Sequence, residues 1–301
     1  GTQVRYVPDA KNAETATLTV QSWDTTSGTA SSNTTVATAD VSTNGGVTAY
    51  STGTGTVTLS VTAVNDAPVL SGGPHTMTPV TEDTTTAGVA VSAVLASFLD
   101  TDVDTGAAAR GVAVTAKVGN GTWQYSTDGT TWNALGTVST GAAALLGNST
   151  QVRYIPDAKN AETATLTIQS WDTTSGTASS NTTVATADVS TNGGVTAYST
   201  GAGTVTLSVT AVNDAPVVAA IANRSVFELT PLTLTSTATD VDLPGDTLSF
   251  SLDSGAPTGA TIHSSTGVFL WTPAESQSPG QHTITVQVTD NGTPNLSATQ
   301  S

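Results

Sequence analysis

The sequence contains no cysteine and very few basic residues. Without cysteine, neither disulfide bonds nor thiolate metal sites can form, so a hydrophobic core or other cross-links must stabilise the fold. Only 7 lysine and arginine residues stand against 23 acidic ones, which gives a net charge of -16. Nucleic-acid and anionic-membrane binding need basic clusters. The composition therefore argues against both kinds of partner and favours a cation.

Long apolar segments are also missing. No run approaches the roughly 18 residues that a membrane-spanning helix requires, so we expect no membrane span in this segment. The sequence is rich instead in threonine, serine, glycine, alanine and valine. Threonine and valine are branched at Cβ and favour strands, and the composition therefore predicts an all-β protein.

The most informative feature is an internal repeat. Residues 2–69 recur at 150–217, an offset of 148, and only three of these 68 positions differ. In both copies an alternating, strand-like run is followed by Asn-Asp-Ala-Pro, at 65–68 and 213–216, which ends the strand. We call these two linkers the first and the second junction.

The repeat divides the chain into three predicted units. Residues 1–69 are the C-terminal part of a repeat, 70–217 are one complete repeat, and 218–301 are a different domain that lacks its last strand. A period of 148 residues fits a whole domain with its own core.

Within the complete repeat the patterns predict many short strands separated by turn signals, which is typical of tandem antiparallel Greek-key β-sandwiches. An almost uncharged insertion at about 177–203 has a hairpin signature at Asn192-Gly193-Gly194. We predict that it is a protruding β-arm that contacts another domain or subunit, with disorder as the alternative. The predicted strands are at about 75–80, 89–95, 112–118, 121–126, 131–135, 151–155, 164–171 and 204–212.

The linker at 213–216 and the strand end at 166–172 resemble the corresponding segments of cadherins and of bacterial cadherin-like surface repeats. Residues 238–242, 266–273 and 288–297 resemble the immunoglobulin-like or dystroglycan-type cadherin-like module of bacteria. This resemblance implies cadherin- or immunoglobulin-like sandwiches in a large secreted adhesin or other bacterial surface protein. Such linkers usually carry another aspartate two residues before the asparagine. Alanine stands at both of these positions here, which removes one expected calcium ligand.

The aspartates near the junctions predict a metal site. Successive strands of a sandwich alternate in direction. The ends of the second and second-to-last strands therefore lie at the same pole of the domain as the start of the first strand. Carboxylates converging there repel one another unless a cation joins them, and Ca²⁺ takes six to eight oxygen ligands. The alternative is that these aspartates only form turns. The candidate ligands are Asn65, Asp66, Asp100, Asp102, Asp104 and Asp172 at the first junction, Asn213, Asp214, Asp240, Asp242, Asp246 and Asp290 at the second, and Glu82, which we expect to reach the second junction from the opposite pole of the repeat.

Catalytic motifs are missing, since the three histidines are isolated and no nucleophile elbow or phosphate-binding loop is present. We expect no enzymatic activity. Trp123, Tyr125 and Trp132 suit either sugar stacking or core packing, and we favour the core.

The leading hypothesis is a stalk or filament segment of an extracellular bacterial surface or adhesion protein, stiffened by calcium, whose partners are neighbouring repeats or subunits. The alternatives are an adhesin module that binds a surface glycan or protein, and an accessory region of a large secreted enzyme.

Overall fold

The computed structural model describes residues 2–104, 109–242 and 245–301. The secondary structure is almost entirely strand, which confirms the predicted all-β fold class. Within the described residues, strands pair only inside three stretches, 14–61, 69–210 and 217–300. No helix in these parts of the chain is long and apolar enough to cross a membrane.

The first stretch is a two-stranded antiparallel sheet. Strand β1 (Glu14–Trp23) pairs along its length with β2 (Tyr50–Val61), and a bulge interrupts the register between Gln21 and Trp23. Threonine takes every second position through the middle of both strands, and this β-branched residue favours the pleated surface of a sheet.

The described residues of the second stretch form thirteen strands and one short helix. They are β3 (Val69–Ser71), β4 (His75–Thr76), β5 (Val80–Thr81), β6 (Val89–Ala90), α1 (Val91–Leu95), β7 (Leu99–Thr101), β8 (Gly111–Val118), β9 (Thr122–Ser126), β10 (Asn133–Ala134), β11 (Ala143–Leu146), β12 (Gln151–Ile155), β13 (Glu162–Trp171), β14 (Thr186–Ala187) and β15 (Tyr198–Thr210).

These strands form two facing sheets and a small third one. The larger sheet has the order β14-β11-β8-β13-β15-β4, with β5 also on β15, and the second has the order β10-β9-β12-β6. Strands β3 and β7 pair separately. All pairs are antiparallel except β4 and β5, which run parallel to β15. This arrangement is the predicted sandwich.

The core of the sandwich lies between the two facing sheets. The larger sheet contributes Leu166 and Leu207, and the smaller sheet contributes Trp123 and Tyr154, all at most 1% exposed. The Trp123 and Tyr154 rings are 4.9 Å apart between centroids. Burying large aliphatic and aromatic side chains of this kind provides most of the stability of a domain without disulfides.

One predicted strand is wrong. The strand expected at 89–95 ends at Ala90, and α1 follows immediately. The buried residues of α1 are Val91, Val94 and Leu95. Their spacing of three and four residues places them on one face of a helix, whereas a strand would have placed Val91 and Val94 on opposite faces.

The position of the insertion also differs from the predicted protruding arm. It does not protrude, because β14 pairs with β11 at the edge of the larger sheet. Val189 and Ala197 pack with Trp171 and Leu145 in a second buried cluster on the outer face of that sheet. Residues 198–203, which the prediction assigned to the arm, are part of β15. Burial against the sheet therefore accounts for the apolar side chains of Val189 and Ala197.

Val189 gives a test of this packing. Val189→Ala is expected to lower the free energy of unfolding by roughly 2 kcal/mol, since it removes a fully buried side chain from the cluster. Val41 occupies the equivalent position in the other copy and is 40% exposed, so Val41→Ala is expected to change stability by less than about 0.5 kcal/mol. Urea denaturation of the two variants measures the difference, and equal losses would show that the insertion does not stabilise the sheet.

Outside residues 243–244, the third stretch has eight strands in three small sheets and a 3-10 helix (Glu275–Gln277). Its core contains Phe250, Val286 and Val288. The division of the chain into the three predicted units, including the expected lack of a last strand in 218–301, stays a prediction. The strands are β16 (Val217–Val218), β17 (Leu232–Thr235), β18 (Ala238–Thr239), β19 (Ser249–Leu252), β20 (Thr261–Ile262), β21 (Val268–Trp271), β22 (Val286–Thr289) and β23 (Ser297–Gln300). The three sheets have the orders β16-β18, β17-β21-β20 and β19-β22-β23.

Candidate metal centre

At the second junction, strand ends bring several aspartates to the linker between β15 and β16. Asp240 and Asp242 follow β18, and Asp290 is the first residue after β22. The Asp214 amide donates a hydrogen bond to Asp242 Oδ2 at 2.8 Å, and the Asp242 amide donates to Asp240 Oδ1 at 3.1 Å. The backbone thus fixes the position of these carboxylates relative to the linker.

Asn213 attaches the linker to the other side of the same pole. Its Nδ2 donates to Asp290 Oδ2 at 3.1 Å and to the Pro294 carbonyl at 2.8 Å. A Cβ at Gly292 would collide with the Asn213 side chain, so this close approach requires glycine there. The local sequence after β22 is therefore shaped to receive the asparagine of the linker.

Glu82 reaches the second junction from the complete repeat. It follows β5, which runs parallel to the end of β15, and its amide donates to the Thr210 carbonyl at 3.0 Å. The Val212 amide in turn donates to Glu82 Oε1 at 3.0 Å. The Glu82 side chain is only 1% exposed, although glutamate is almost never fully buried without a partner.

Glu82, Asp214 and Asp242 form the tightest group of carboxylates. One oxygen of each lies within 4.8 Å of the others. Three carboxylate oxygens, one in this group and two on neighbouring aspartates, are buried and have no hydrogen-bond partner within the described residues. They are Glu82 Oε2, Asp240 Oδ2 and Asp246 Oδ2. A buried carboxylate oxygen without a partner is costly. The geometry therefore leaves oxygen atoms available to a cation.

The first junction repeats the same linker contacts. Asn65 Nδ2 donates to Asp172 Oδ2 at 2.9 Å, and the Asp66 amide donates to Asp104 Oδ2 at 2.8 Å. The Asp104 amide donates to Asp102 Oδ1 at 3.1 Å. These distances match those of the second junction within about 0.2 Å, so the two linkers are held in the same way.

The first junction differs in its charge balance. Arg110 forms an ion pair with Asp100, with 2.7 Å between Nε and Oδ2, and it also donates to the Asp100 carbonyl at 2.7 Å. Among the described residues, no three carboxylates at this junction approach as closely as those around Glu82. The structure thus brings Asp66, Asp102 and Asp104 together, and Asp100 Oδ2 has a cationic partner. Asp100 Oδ1 and Asp102 Oδ2 are nevertheless buried without a hydrogen-bond partner within the described residues, as at the second junction.

Sequence reasoning missed three contributors to the junctions. One is Arg110, which is ten residues from Asp100 and meets it only after folding. The second is the insertion, since the Gly194 carbonyl accepts from the Ala67 amide at 2.7 Å and the Thr196 carbonyl accepts from Asn65 Nδ2 at 3.1 Å. The third is Asp83, whose charge acts on both Glu82 and Asp214. Its position next to Glu82 was the available signal.

Burial and mutual repulsion shift the acidity of this group. Desolvation raises the pKa of Glu82 above its usual value, and the neighbouring charges of Asp242, Asp214 and Asp83 raise it further. Desolvation followed by the nearby aspartates also raises the pKa values of Asp214 and Asp246. Folding without a bound cation therefore shifts these three carboxyl groups toward the uncharged form, relative to the unfolded chain.

The pKa values of Asp290 and Asp102 are shifted in opposite directions. Burial alone would raise the pKa of Asp290, but hydrogen bonds from Leu296, Asn213 and Gly292 together hold it below the usual value. The pKa of Asp102 is raised, first by desolvation and then by Asp104 and Asp172, although Arg110 opposes the effect. At the second junction, hydrogen bonds to Asp290 thus favour its charged form, in contrast to the raised pKa values of Glu82, Asp214 and Asp246.

These shifts predict an unusual pH dependence in the absence of calcium. A carboxyl group whose pKa is raised by folding stabilises the protein most below its unfolded pKa, near 4, and this contribution is lost as the pH rises through the folded pKa. In a chelating buffer, the melting temperature is therefore expected to rise as the pH falls from 7 to 5. Glu82→Gln is expected to flatten this dependence, because it removes the most buried of these acids. A melting temperature that falls over this range in both proteins would contradict the assignment.

Comparison with known proteins adds one family match. Residues 215–301 match the family model described as "Putative Ig domain". The match contains Asp240, Asp242, Asp246 and Asp290 and begins one residue after Asp214. The last part of the chain is thus immunoglobulin-like, and the second junction lies at its start. No curated protein sequence matches the chain.

Several solved structures are similar to this chain. The crystal structure of mouse cadherin-23 EC22-24 is 19% identical, with a TM-score of 0.43, over 83% of this chain and 68% of that one. The crystal structure of human CDH23 EC21-23 is 17% identical, with a TM-score of 0.42, over 76% and 70% of the two chains. For the protocadherin GammaB4 extracellular domain, the values are 16% identity and a TM-score of 0.38, over 82% of this chain and 36% of that one.

Proposed function

We propose that this chain is a structural segment of an extracellular adhesion or surface protein and that calcium links its repeats. The observation that carries the proposal is Glu82, a nearly fully buried glutamate with one unpartnered oxygen, placed beside Asp214 and Asp242. Glu82 belongs to the sandwich before the second junction, whereas Asp242 follows a strand of the sheets after it. A cation bound by all three would connect the two sides of the linker.

The donor atoms fit calcium better than other common cations. All of them are oxygens, which hard cations prefer, and zinc sites usually contain histidine or cysteine. Magnesium keeps several waters and needs near-ideal octahedral geometry, whereas calcium accepts six to eight oxygens in flexible arrangements. Asp240 and Asp246, each with one unpartnered oxygen, extend the set beyond the three central residues.

A stalk or filament segment of a bacterial surface protein is the role that we favour. Near-identical repeats lengthen a chain, and a cation at the linker limits bending between them. The partners in this account are neighbouring repeats or subunits of the same protein. The role is non-catalytic, and the resemblance of the linkers to those of bacterial cadherin-like repeats supports an extracellular location.

The aromatic residues give little support to glycan stacking. Trp123 and Tyr125 are each only 1% exposed and belong to the sandwich core. Trp132 is partly exposed, but the Arg153 guanidinium lies 4.1 Å from its ring centroid and occupies that position. We therefore keep the structural role as the single proposed function.

Calcium titration calorimetry of the full chain tests the proposal. Asp242→Asn preserves the side-chain shape and an oxygen that can accept from the Asp214 amide, but it removes one ligand charge. Because calcium affinity depends on the number of charged ligands, this variant is expected to bind calcium at the second junction at least about tenfold more weakly.

Asp253→Asn is the matched control. Asp253 is exposed, accepts from the Gly255 amide at 3.0 Å and lies outside the candidate centre, so the same change of charge is expected to leave calcium affinity unchanged. Equal affinities for the two variants, or no binding by the parent chain at millimolar calcium, would refute calcium binding by this group.

A further inference from the structure

The insertion of the complete repeat reaches the first junction. Its turn at residues 192–197, which we call the junction turn, contacts the linker through two backbone carbonyls. The Gly194 carbonyl accepts from the Ala67 amide at 2.7 Å, and the Thr196 carbonyl accepts from Asn65 Nδ2 at 3.1 Å. Both acceptors are uncharged, so these bonds do not require a cation to offset repulsion between carboxylates.

Hydrogen bonds and glycine geometry fix the shape of the junction turn. The Gly193 amide donates to the Tyr198 carbonyl at 2.8 Å, and the Thr196 amide donates to the Gly193 carbonyl at 3.1 Å. Gly193 and Gly194 have φ values of 74° and 56°, a left-handed conformation that glycine adopts without strain. Ala197 and Tyr198 are buried and anchor the turn to the sheet. The two acceptor carbonyls are therefore held in fixed positions.

The second junction provides an internal comparison, because its linker has the same Asn-Asp-Ala-Pro sequence. Ala67 is half-buried, whereas Ala215 is exposed, and the Ala215 amide has no hydrogen-bond partner within the described residues. The domain after Ala215 has a short loop in place of the insertion. Its Pro294 carbonyl accepts from Asn213 Nδ2 and so replaces only one of the two acceptors. The additional bond at the first junction therefore comes from the insertion and not from the linker.

The two linkers also share bonds that end on carboxylates. The Asp66 amide donates to Asp104, and the Asp214 amide donates to Asp242. At the second junction, Asp242 belongs to the crowded group of acids around Glu82. Carboxylates held this close repel one another when no cation is bound, so a linker held through them is expected to loosen in chelator.

We propose that the junction turn is a docking surface for the linker of the preceding repeat and that it holds the first junction when calcium is absent. Bending caused by the loss of calcium is then confined to the second junction, where the same linker meets a domain without the turn. This second statement rests on the proposed calcium link, whereas docking of the linker on the turn does not. Connections between repeats thus stay stiff, and the connection to the immunoglobulin-like part is the hinge that calcium controls.

Amide hydrogen exchange of the full chain, resolved by residue with NMR spectroscopy, tests the docking. Ala67 and Ala215 have identical neighbours in sequence, so their intrinsic exchange rates are the same and any difference reports their surroundings. In chelator, the Ala67 amide is expected to exchange at least about tenfold more slowly than the Ala215 amide. Equal rates would overturn the proposal.

Calcium separates the docking from the proposed calcium link. The amides of Asp66 and Asp214 report how firmly each linker is held. In chelator, the Asp66 amide is expected to exchange more slowly than the Asp214 amide, and added calcium is expected to slow Asp214 much more than Asp66. Equal slowing of both would overturn the confinement of bending to the second junction. If calcium leaves the Asp214 rate unchanged, the calcium link fails, while the rates of Ala67 and Ala215 in chelator still decide the docking.

Gly193→Val disrupts the junction turn and leaves the linker intact. A Cβ at Gly193 would lie 2.4 Å from Thr200 Cγ2, at a φ that is strained for valine. The variant is expected to raise the Ala67 exchange rate at least about tenfold. Gly45→Val is the matched control, because Gly45 has a φ of 73° and its Cβ would lie 2.3 Å from Thr52 Cγ2 in the turn of the first copy. The control is expected to leave the Ala67 rate within about twofold.

Thr196→Val is the milder variant and decides the question if Gly193→Val does not fold. The Thr196 hydroxyl lies 2.9 Å from the Gly193 carbonyl oxygen and 3.3 Å from that of Tyr198. Thr48 makes the same two contacts at the same distances in the first copy. Thr196→Val is expected to raise the Ala67 exchange rate at least about threefold, and Thr48→Val is expected to leave it unchanged. Equal changes in a variant and its control, or an unchanged Ala67 rate in both variants of the junction turn, would overturn the proposal.

Discussion

Leu166→Ala is expected to lower the free energy of unfolding of the complete repeat by about 2–5 kcal/mol. Leu166 is 1% exposed and lies in the core between the two facing sheets. Removing most of its side chain loses the transfer free energy of the buried atoms and leaves a cavity that close-packed neighbours fill only in part.

The internal repeat supplies an unusually close control for this experiment. Leu18 has the same sequence neighbours as Leu166 over many residues on either side, but it is 43% exposed. Leu18→Ala is therefore expected to cost less than about 1 kcal/mol. Urea unfolding of the full chain, followed by the fluorescence of the buried Trp123 and Trp171, measures both variants. Equal losses would mean that the core does not lie where the structure places it.

Removing calcium is expected to have the second large effect. A cation that binds only the folded state stabilises it by mass action, by about 2.7 kcal/mol when its free concentration is 100 times the dissociation constant. Chelation is therefore expected to lower the melting temperature of the chain at neutral pH. The physical reason is that Glu82, Asp214 and Asp242 would then be held together without a counter-charge.

Glu82→Gln separates this effect from general charge screening. The variant keeps the oxygen that accepts from the Val212 amide, but it loses the buried negative charge. Its melting temperature is expected to respond much less to chelation than that of the parent chain. If calcium and chelator give the same melting temperature for the parent, the cation does not stabilise this junction.

Much of the fold could be predicted because the alternation of polar and apolar residues is a direct signal for half-buried strands. The predicted strands at 112–118, 121–126, 151–155 and 164–171 correspond closely to β8, β9, β12 and β13. Strand β11 was not predicted. All four of its residues, Ala-Ala-Leu-Leu, are buried because β11 is covered on both faces, and such a strand has no alternation to detect.

The short helix and the insertion were missed for related reasons. Val91, Val94 and Leu95 give a helical spacing over a single turn, which is too short to distinguish from a strand by pattern alone. The insertion has almost no charge and no clear period. Its burial depends on Trp171 and Leu145, which are distant in sequence, so its place on the sheet follows from tertiary packing.

The position of the candidate site could be predicted from topology, but its charge balance could not. Strand alternation is sufficient to bring Asp242 and Asp290 to the linker and to place Glu82 at the other side of the second junction. The ion pair between Arg110 and Asp100 joins residues ten positions apart and forms only in the folded chain. No sequence pattern distinguishes an aspartate with an arginine partner from one that is free to bind a cation.

Small-angle X-ray scattering of the full chain, in calcium and in chelator, tests most directly whether a cation fixes the second junction. With calcium, the account predicts a narrow distribution of interatomic distances, because the sandwich that carries Glu82 is tied to the sheets that follow Asp214. In chelator the distribution is expected to broaden, and Glu82→Gln is expected to resemble the chelated parent even in calcium. Identical scattering curves for the parent chain in the two buffers would contradict the claim that calcium stiffens this protein.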